Sequence, residues 1–176
     1  MKKRITLLFL VLSIVIKAQE VKKATSNFNF KIGLIGTWVA YEHALNKNLT
    51  INSEIGYVGA ILKGTNGNRL DYIFKPMYNV EPRYYYNFDK RIDKGKKTNN
   101  NAANYLGLSF IYSSGNELTN TSIQARESFV ILPRWGFNRN LSPSINFEFA
   151  IGTGYGCAKD IQGGIIGLDL KFSYFL

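Results

Sequence analysis

From Gly167 to Leu176 the chain alternates with a period of two. Leu168, Leu170, Phe172, Tyr174 and Leu176 fall on one face, and Asp169, Lys171 and Ser173 fall on the other. Successive side chains of a β-strand point to opposite faces, so this pattern defines a strand. One face carries only large apolar groups while the other carries charge, so the strand divides two environments. A terminal strand of this kind is what closes a transmembrane barrel, with its apolar face toward lipid and its polar face inward.

The same rhythm recurs upstream. Strands are expected near 28–42, 49–61, 72–88, 103–113, 127–137, 144–156 and 164–176. The connections between them are rich in Asn, Lys, Asp, Pro, Gly, Ser and Thr, the residues of turns. Over 72–88, Tyr72, Phe74, Tyr78, Val80, Tyr84, Tyr86 and Phe88 share one parity and Lys75, Asn79, Glu81, Arg83 and Asn87 the other. Over 144–156, Ile145, Phe147, Phe149, Ile151 and Tyr155 oppose Asn146, Glu148, Gly152 and Gly154. The first strand is less clean, because Ile35 and Val39 oppose Phe28, Phe30, Ile32, Leu34 and Trp38. No convincing helical period, domain boundary or longer repeat is visible, and the strands are long enough for the roughly 9–11 residues a tilted membrane strand needs.

The N-terminus reads as an export signal. Lys2, Lys3 and Arg4 precede a 12-residue apolar run, Ile5 to Ile16, interrupted by Thr6 and Ser13, and Ala18 offers a small residue at a cleavage point before Gln19. The run is too short to span a bilayer comfortably. The expected organisation is a signal peptide over 1–18 and one domain over 19–176. Loss of Lys2, Lys3, Arg4 and Lys17 with the signal lowers the formal charge from +10 to about +6. The remaining basic residues are dispersed except over Lys90–Lys97, in a polar connection, so nucleic acid is not an expected partner. Cys157 is the one cysteine, which excludes an intrachain disulfide.

Collected from the strands, the polar faces hold Glu54, Glu81, Glu148 and Asp169 against Lys75, Arg83, Arg134 and Lys171. Four acids and four bases suit a lumen in which buried charges must pair. The chain has 11 Tyr and 12 Phe. They gather near strand ends at Tyr84–Phe88, at Trp135 and Phe137, and at Trp38 and Tyr41, as in the aromatic girdles of barrels. The fold expected is therefore all-β: a single antiparallel up-and-down transmembrane β-barrel. Seven strands are clear. Bacterial single-chain barrels are even-numbered, which calls for an eighth within 20–36, bent near Gly33 or Gly36. A barrel of that size is filled by its side chains.

A search for chemistry yields no catalytic, cofactor or metal assignment. His43 is the one histidine. Lipid A deacylases resemble this chain in size and place a Ser two residues after their His, whereas Leu45 stands there here. Gly152-Thr153-Gly154-Tyr155-Gly156 lacks the Lys-Ser/Thr pair and the helix of a phosphate loop, and sits within an alternating strand.

The segments Leu45–Tyr57, Glu81–Arg91 and Pro133–Phe137, with the Ala18-Gln19 signal ending, resemble small outer-membrane β-barrel proteins of Bacteroidetes-type bacteria (OmpA/OmpX-like barrels). That resemblance implies location and fold and no established activity. The expected function is a non-enzymatic outer-membrane barrel with a filled polar lumen and a structural or loop-mediated role in the cell envelope, interaction falling to loops 62–71, 114–126 and 157–163. Its expected partners are outer-membrane lipid and the barrel-assembly machinery during insertion; no extracellular ligand is specified. Two alternatives stand beside it: a barrel enzyme acting on lipid A or phospholipid, and a soluble lipocalin-like binder, whose apolar faces would point inward.

Overall fold

The computed structural model describes residues 24–63, 70–115, 118–120, 126–159 and 161–176. The signal peptide expected over 1–18 lies outside the described residues, as do parts of all three expected interaction loops. The chain folds into one antiparallel sheet whose strands are β1 (Asn27–Gly33), β2 (Gly36–Ala44), β3 (Leu49–Lys63), β4 (Leu70–Tyr84), β5 (Asn104–Ser113), β6 (Leu118–Thr119), β7 (Ser128–Ser142), β8 (Ile145–Ala158) and β9 (Ile161–Phe175). The order is β3-β2-β1-β9-β8-β7-β5-β4-β6, and β3 also pairs with β4, so the sheet closes in a ring.

Eight strands were expected, and nine are present among the described residues. The additional one, β6, is two residues long and pairs β4 at Ile73 and Phe74, beyond the stretch that pairs with β5. The other eight each pair on both sides. The expected strand over 28–42 is in fact two, β1 and β2, joined by the two-residue turn Leu34-Ile35, with Gly33 opposite Gly36. This turn switches the inward-facing residues from odd-numbered on β1 to even-numbered on β2. Trp38, grouped by sequence with Phe28 and Ile32 and with the aromatic girdle, is instead buried inside the ring opposite Lys31.

The alternation maps onto two unlike surfaces. Phe28, Phe30 and Ile32 on β1, Ile131 and Trp135 on β7, Ile151 and Tyr155 on β8, and Leu168 and Phe172 on β9 are exposed around the outside. Between them Asn29, Lys31, Arg134, Glu148, Lys171 and Ser173 are buried inside.

A small apolar cluster sits at one mouth of the ring, formed by Ala24, Ala44, Tyr85, Phe88, Ala103, Tyr105 and Ala150. The connection from β4 to β5 covers this mouth. It contains a short helix, α1 (Phe88–Asp93), that the sequence reading did not include, and a 3₁₀ turn at Asn99–Asn101. Asn100 and Asn101 adopt φ of 51° and 57°, a left-handed conformation that Asn tolerates better than most residues. The turn is thereby aimed at the N-terminal segment. The Thr25 amide donates to Asn101 Oδ1 at 2.8 Å, and Asn101 Nδ2 donates to the Thr25 carbonyl at 2.9 Å. Together these elements make one end of the ring a closed end.

Candidate functional site: a closed circuit of charge inside the ring

Inside the ring, eight charged side chains from six strands meet. Lys31 Nζ lies 2.7 Å from Glu54 and 2.9 Å from Glu148. Glu148 also receives Arg83, which pairs with Glu81 at 2.8 Å. Glu81 receives Arg134, and Arg134 reaches Asp169. Asp169 lies 3.4 Å from Lys171, which returns to Glu54 at 3.1 Å. Acids and bases alternate around a closed circuit, and every member has an opposite charge on either side. Seven of the eight are almost completely buried, and Asp169 retains 28 % of its side-chain exposure.

Strand pleating explains why these residues converge. Glu81 and Arg83 are two apart on β4, and Asp169 and Lys171 are two apart on β9, so each pair points inward from one strand. Glu148 stands directly opposite Lys171, and Arg134 opposite Gly152. Gly107 gives Glu81 its room: a Cβ at 107 would fall on the Glu81 carboxylate. The strands that contribute no charge to the circuit contribute aromatics. Tyr105 on β5 donates its hydroxyl to Glu148 Oε1 at 2.8 Å and lies 4.4 Å beneath the Arg83 guanidinium. Trp38 on β2 lies 4.3 Å from Lys171 Nζ. Asn52 and Asn79 complete the hydrogen bonding of Glu54. All eight strands of the ring therefore touch the circuit.

Toward the closed end, Glu42 is buried and accepts from Thr50 Oγ1 at 2.6 Å and from the Tyr85 hydroxyl at 2.7 Å. Burial, and next the Glu42 carboxylate, push the Tyr85 phenol well above its ordinary value, so Tyr85 stays a donor.

Of the eight residues singled out from sequence, Glu54, Glu81, Arg83, Arg134, Glu148, Asp169 and Lys171 enter the circuit. Lys75 lies apart from it, donating to Ser128 Oγ at 3.1 Å and the Arg126 carbonyl at 3.4 Å. Its place as fourth cation is taken by Lys31, which sequence reasoning passed over although it lies between Phe30 and Ile32. Glu42 and the aromatic partners were also missed.

The arrangement suits structure more than turnover. Glu54, Glu81 and Glu148 each accept from at least two cations, and Asp169 Oδ2 faces both Arg134 and Lys171. His43 is exposed on the outer face, stacked on Tyr41 at 6.1 Å, and its ring Nδ1 lies 3.5 Å from Ser26 Oγ. Among the described residues no group of three His, Cys, Asp or Glu is placed to hold a metal ion. A lipocalin-like binder needs an apolar interior, and this interior carries charge.

Compared with known proteins, the chain matches no family model, no curated protein and no solved structure.

Proposed function

We propose that this chain is an outer-membrane β-barrel closed by eight ring strands, β6 being a short extension at one rim. Its interior is filled, and its role in the envelope is non-enzymatic, structural or mediated by its loops. The observation that carries this reading is the inverted polarity of the ring: large apolar side chains outside, a charge circuit inside. In water such an exterior would be a large exposed apolar surface, which soluble monomers avoid. In lipid it is the preferred solvent contact.

Two further features support the reading. β3, β4, β7, β8 and β9 have 14 or 15 residues, more than the roughly 9–11 that cross a bilayer at a tilt. The β1–β2 turn, which in water would carry polar residues, is Leu34-Ile35, both highly exposed. Its Ile35 carbonyl accepts from the Gly59 amide at 2.9 Å, as a turn in an apolar surround requires. The closed end with its covering helix suits the periplasmic side, where the barrel-assembly machinery would deliver the chain, and the loops at the opposite end suit interaction outside the cell.

Electrophoresis of the outer-membrane fraction in SDS, with and without boiling, tests the reading. A band in that fraction whose mobility changes on heating is expected. Recovery in the soluble periplasm with a single mobility would overturn it. Joint deletion of loops 62–71, 114–126 and 157–163 tests the interaction role, which falls if every envelope and binding phenotype survives the deletion.

A further inference from the structure

On the outer surface at the closed end, two arginines donate to neutral oxygens. Arg139, on β7, lies 4.6 Å over the Phe137 ring and donates to the Asn138 carbonyl and to Asn104 Oδ1. Arg91, on α1, donates to the Lys97 carbonyl at 2.9 Å and has a buried Nε with no acceptor among the described residues. α1 is held beside Arg139 through Asn87, whose Oδ1 accepts from the amide of Asn104, the residue Arg139 bonds. Two cations on one surface favour an anion beside them.

Tyr86 adds a directional element. Its hydroxyl oxygen accepts from Trp135 Nε1 at 2.8 Å and from Asn104 Nδ2 at 3.1 Å. A tyrosine oxygen has two lone pairs and one proton. With both lone pairs engaged, the proton is left for an outside acceptor. Directly beside this polar group runs a strip of rings along the outside. Trp135 and Phe137 are 5.8 Å apart, and Phe137 and Phe149 stack at 5.4 Å. A cationic, hydrogen-bonding head next to an apolar strip has the polarity profile of one molecule, a lipid seen end to end.

We propose that Arg91, Arg139 and Tyr86 bind the phosphate of an anionic phospholipid at the closed end of the ring, its acyl chains lying along Trp135, Phe137 and Phe149. The stretch Lys90–Lys97 adds a second, longer-range attraction, with five cations and one acid in eight residues at the same end. The inference rests on the membrane reading above and goes beyond it by naming a lipid class and its contacts.

The test uses the full chain without its signal, reconstituted in phosphatidylcholine vesicles that contain a minority of one brominated lipid, either phosphatidylglycerol or phosphatidylcholine. Bromine in the acyl chains quenches tryptophan fluorescence on contact, and the part of the quenching that disappears in Trp135→Phe belongs to Trp135. Brominated phosphatidylglycerol is expected to be enriched at Trp135 about tenfold over brominated phosphatidylcholine, the size expected of one to two basic side chains at a lipid surface. High salt and the Arg91→Gln/Arg139→Gln double variant should remove the preference. Equal quenching by both lipids overturns the site and leaves the membrane reading standing. Quenching by neither places Trp135 outside the bilayer and overturns both. If the double variant does not insert, Arg139→Lys, which keeps the charge and loses the planar fork, and Tyr86→Phe take its place; an undiminished preference in both overturns the proposal.

Discussion

The Trp38 ring lies flat against the ammonium group of Lys171, with Nζ 4.3 Å from the ring centroid. A desolvated cation over an aromatic face contributes about 2 kcal/mol. The contact exists because the backbone leaves room for it. Cβ atoms built at Gly33, Gly36 and Gly56 would all fall on Trp38, and the one at Gly56 would also fall on the Thr37 carbonyl. Gly56→Ala must therefore displace backbone as well as side chain. The expected cost is about 1–3 kcal/mol, the range for overpacking a well-filled interior. Urea unfolding in lipid vesicles, followed by the fluorescence of Trp38, measures it.

Glu148 joins two cations of the charge circuit and a phenol, receiving Lys31, Arg83 and the Tyr105 hydroxyl. Removing its charge leaves two buried cations each short of a partner. Glu148→Gln is expected to cost about 3–5 kcal/mol, the penalty for breaking a buried ion pair by removing one side. Lys31→Met alone should also destabilise. The Lys31→Met/Glu148→Gln pair should fall short of the sum of the single losses by about 0.5–3 kcal/mol, because the second change removes a charge that the first has stranded. Additive losses in a double-mutant cycle would mean that the two groups are not coupled.

Tyr85 makes folding sensitive to alkali. Its phenol is held well above the ordinary value, by burial first and by Glu42 second, so the folded chain keeps a proton that the unfolded chain releases. Above about pH 10, the ordinary phenol value, the unfolded state therefore binds fewer protons and stability falls as pH rises. The unfolding midpoint of the native chain should drop more steeply between neutral and strongly alkaline pH than that of Tyr85→Phe. Parallel pH dependences would show that the Tyr85 proton is not linked to folding.

Alternation alone made much of the interior legible. Glu81 and Arg83 on β4, and Asp169 and Lys171 on β9, are separated by two residues and flanked by apolar groups, so their shared face follows from pleating. What was not legible depended on where the phase resets. Leu34-Ile35 carries no polar or proline turn signal, and only Gly33 and Gly36 bracket it, so β1 and β2 read as one strand. That single merger put Trp38 on the wrong face and hid Lys31. Lys75 has the same parity as Glu81, but parity does not give height along the ring, and three pleats toward the other mouth place it beside Ser128. The six residues of α1 are too few to display a helical period, and they are held by the burial of Phe88 rather than by propensity.

The outer face gives the most direct discrimination between a membrane and an aqueous surround. Leu168 is on β9, directly opposite Ile151 on β8, and both are exposed at mid-strand. An arginine at 168 has no anionic neighbour on that face within the β8–β9 pairing, since Ile166, Leu170 and Phe172 flank it. With lipid outside, Leu168→Arg should destabilise the folded chain by about 2–4 kcal/mol, the cost of a cation on the lipid face near the bilayer midplane. With water outside, the same change would replace an exposed apolar group by a charged one and leave stability within about 0.5 kcal/mol. Unfolding of the native and Leu168→Arg chains, compared in the same phosphatidylcholine vesicles, separates the two. Leu141→Arg serves as the internal control: it is exposed near the closed end of β7, where the depth dependence of that cost brings it down to about 0–1 kcal/mol. A large loss at 168 with a small loss at 141 locates the apolar belt along the strands, and equal small losses at both would place the whole outer face in water.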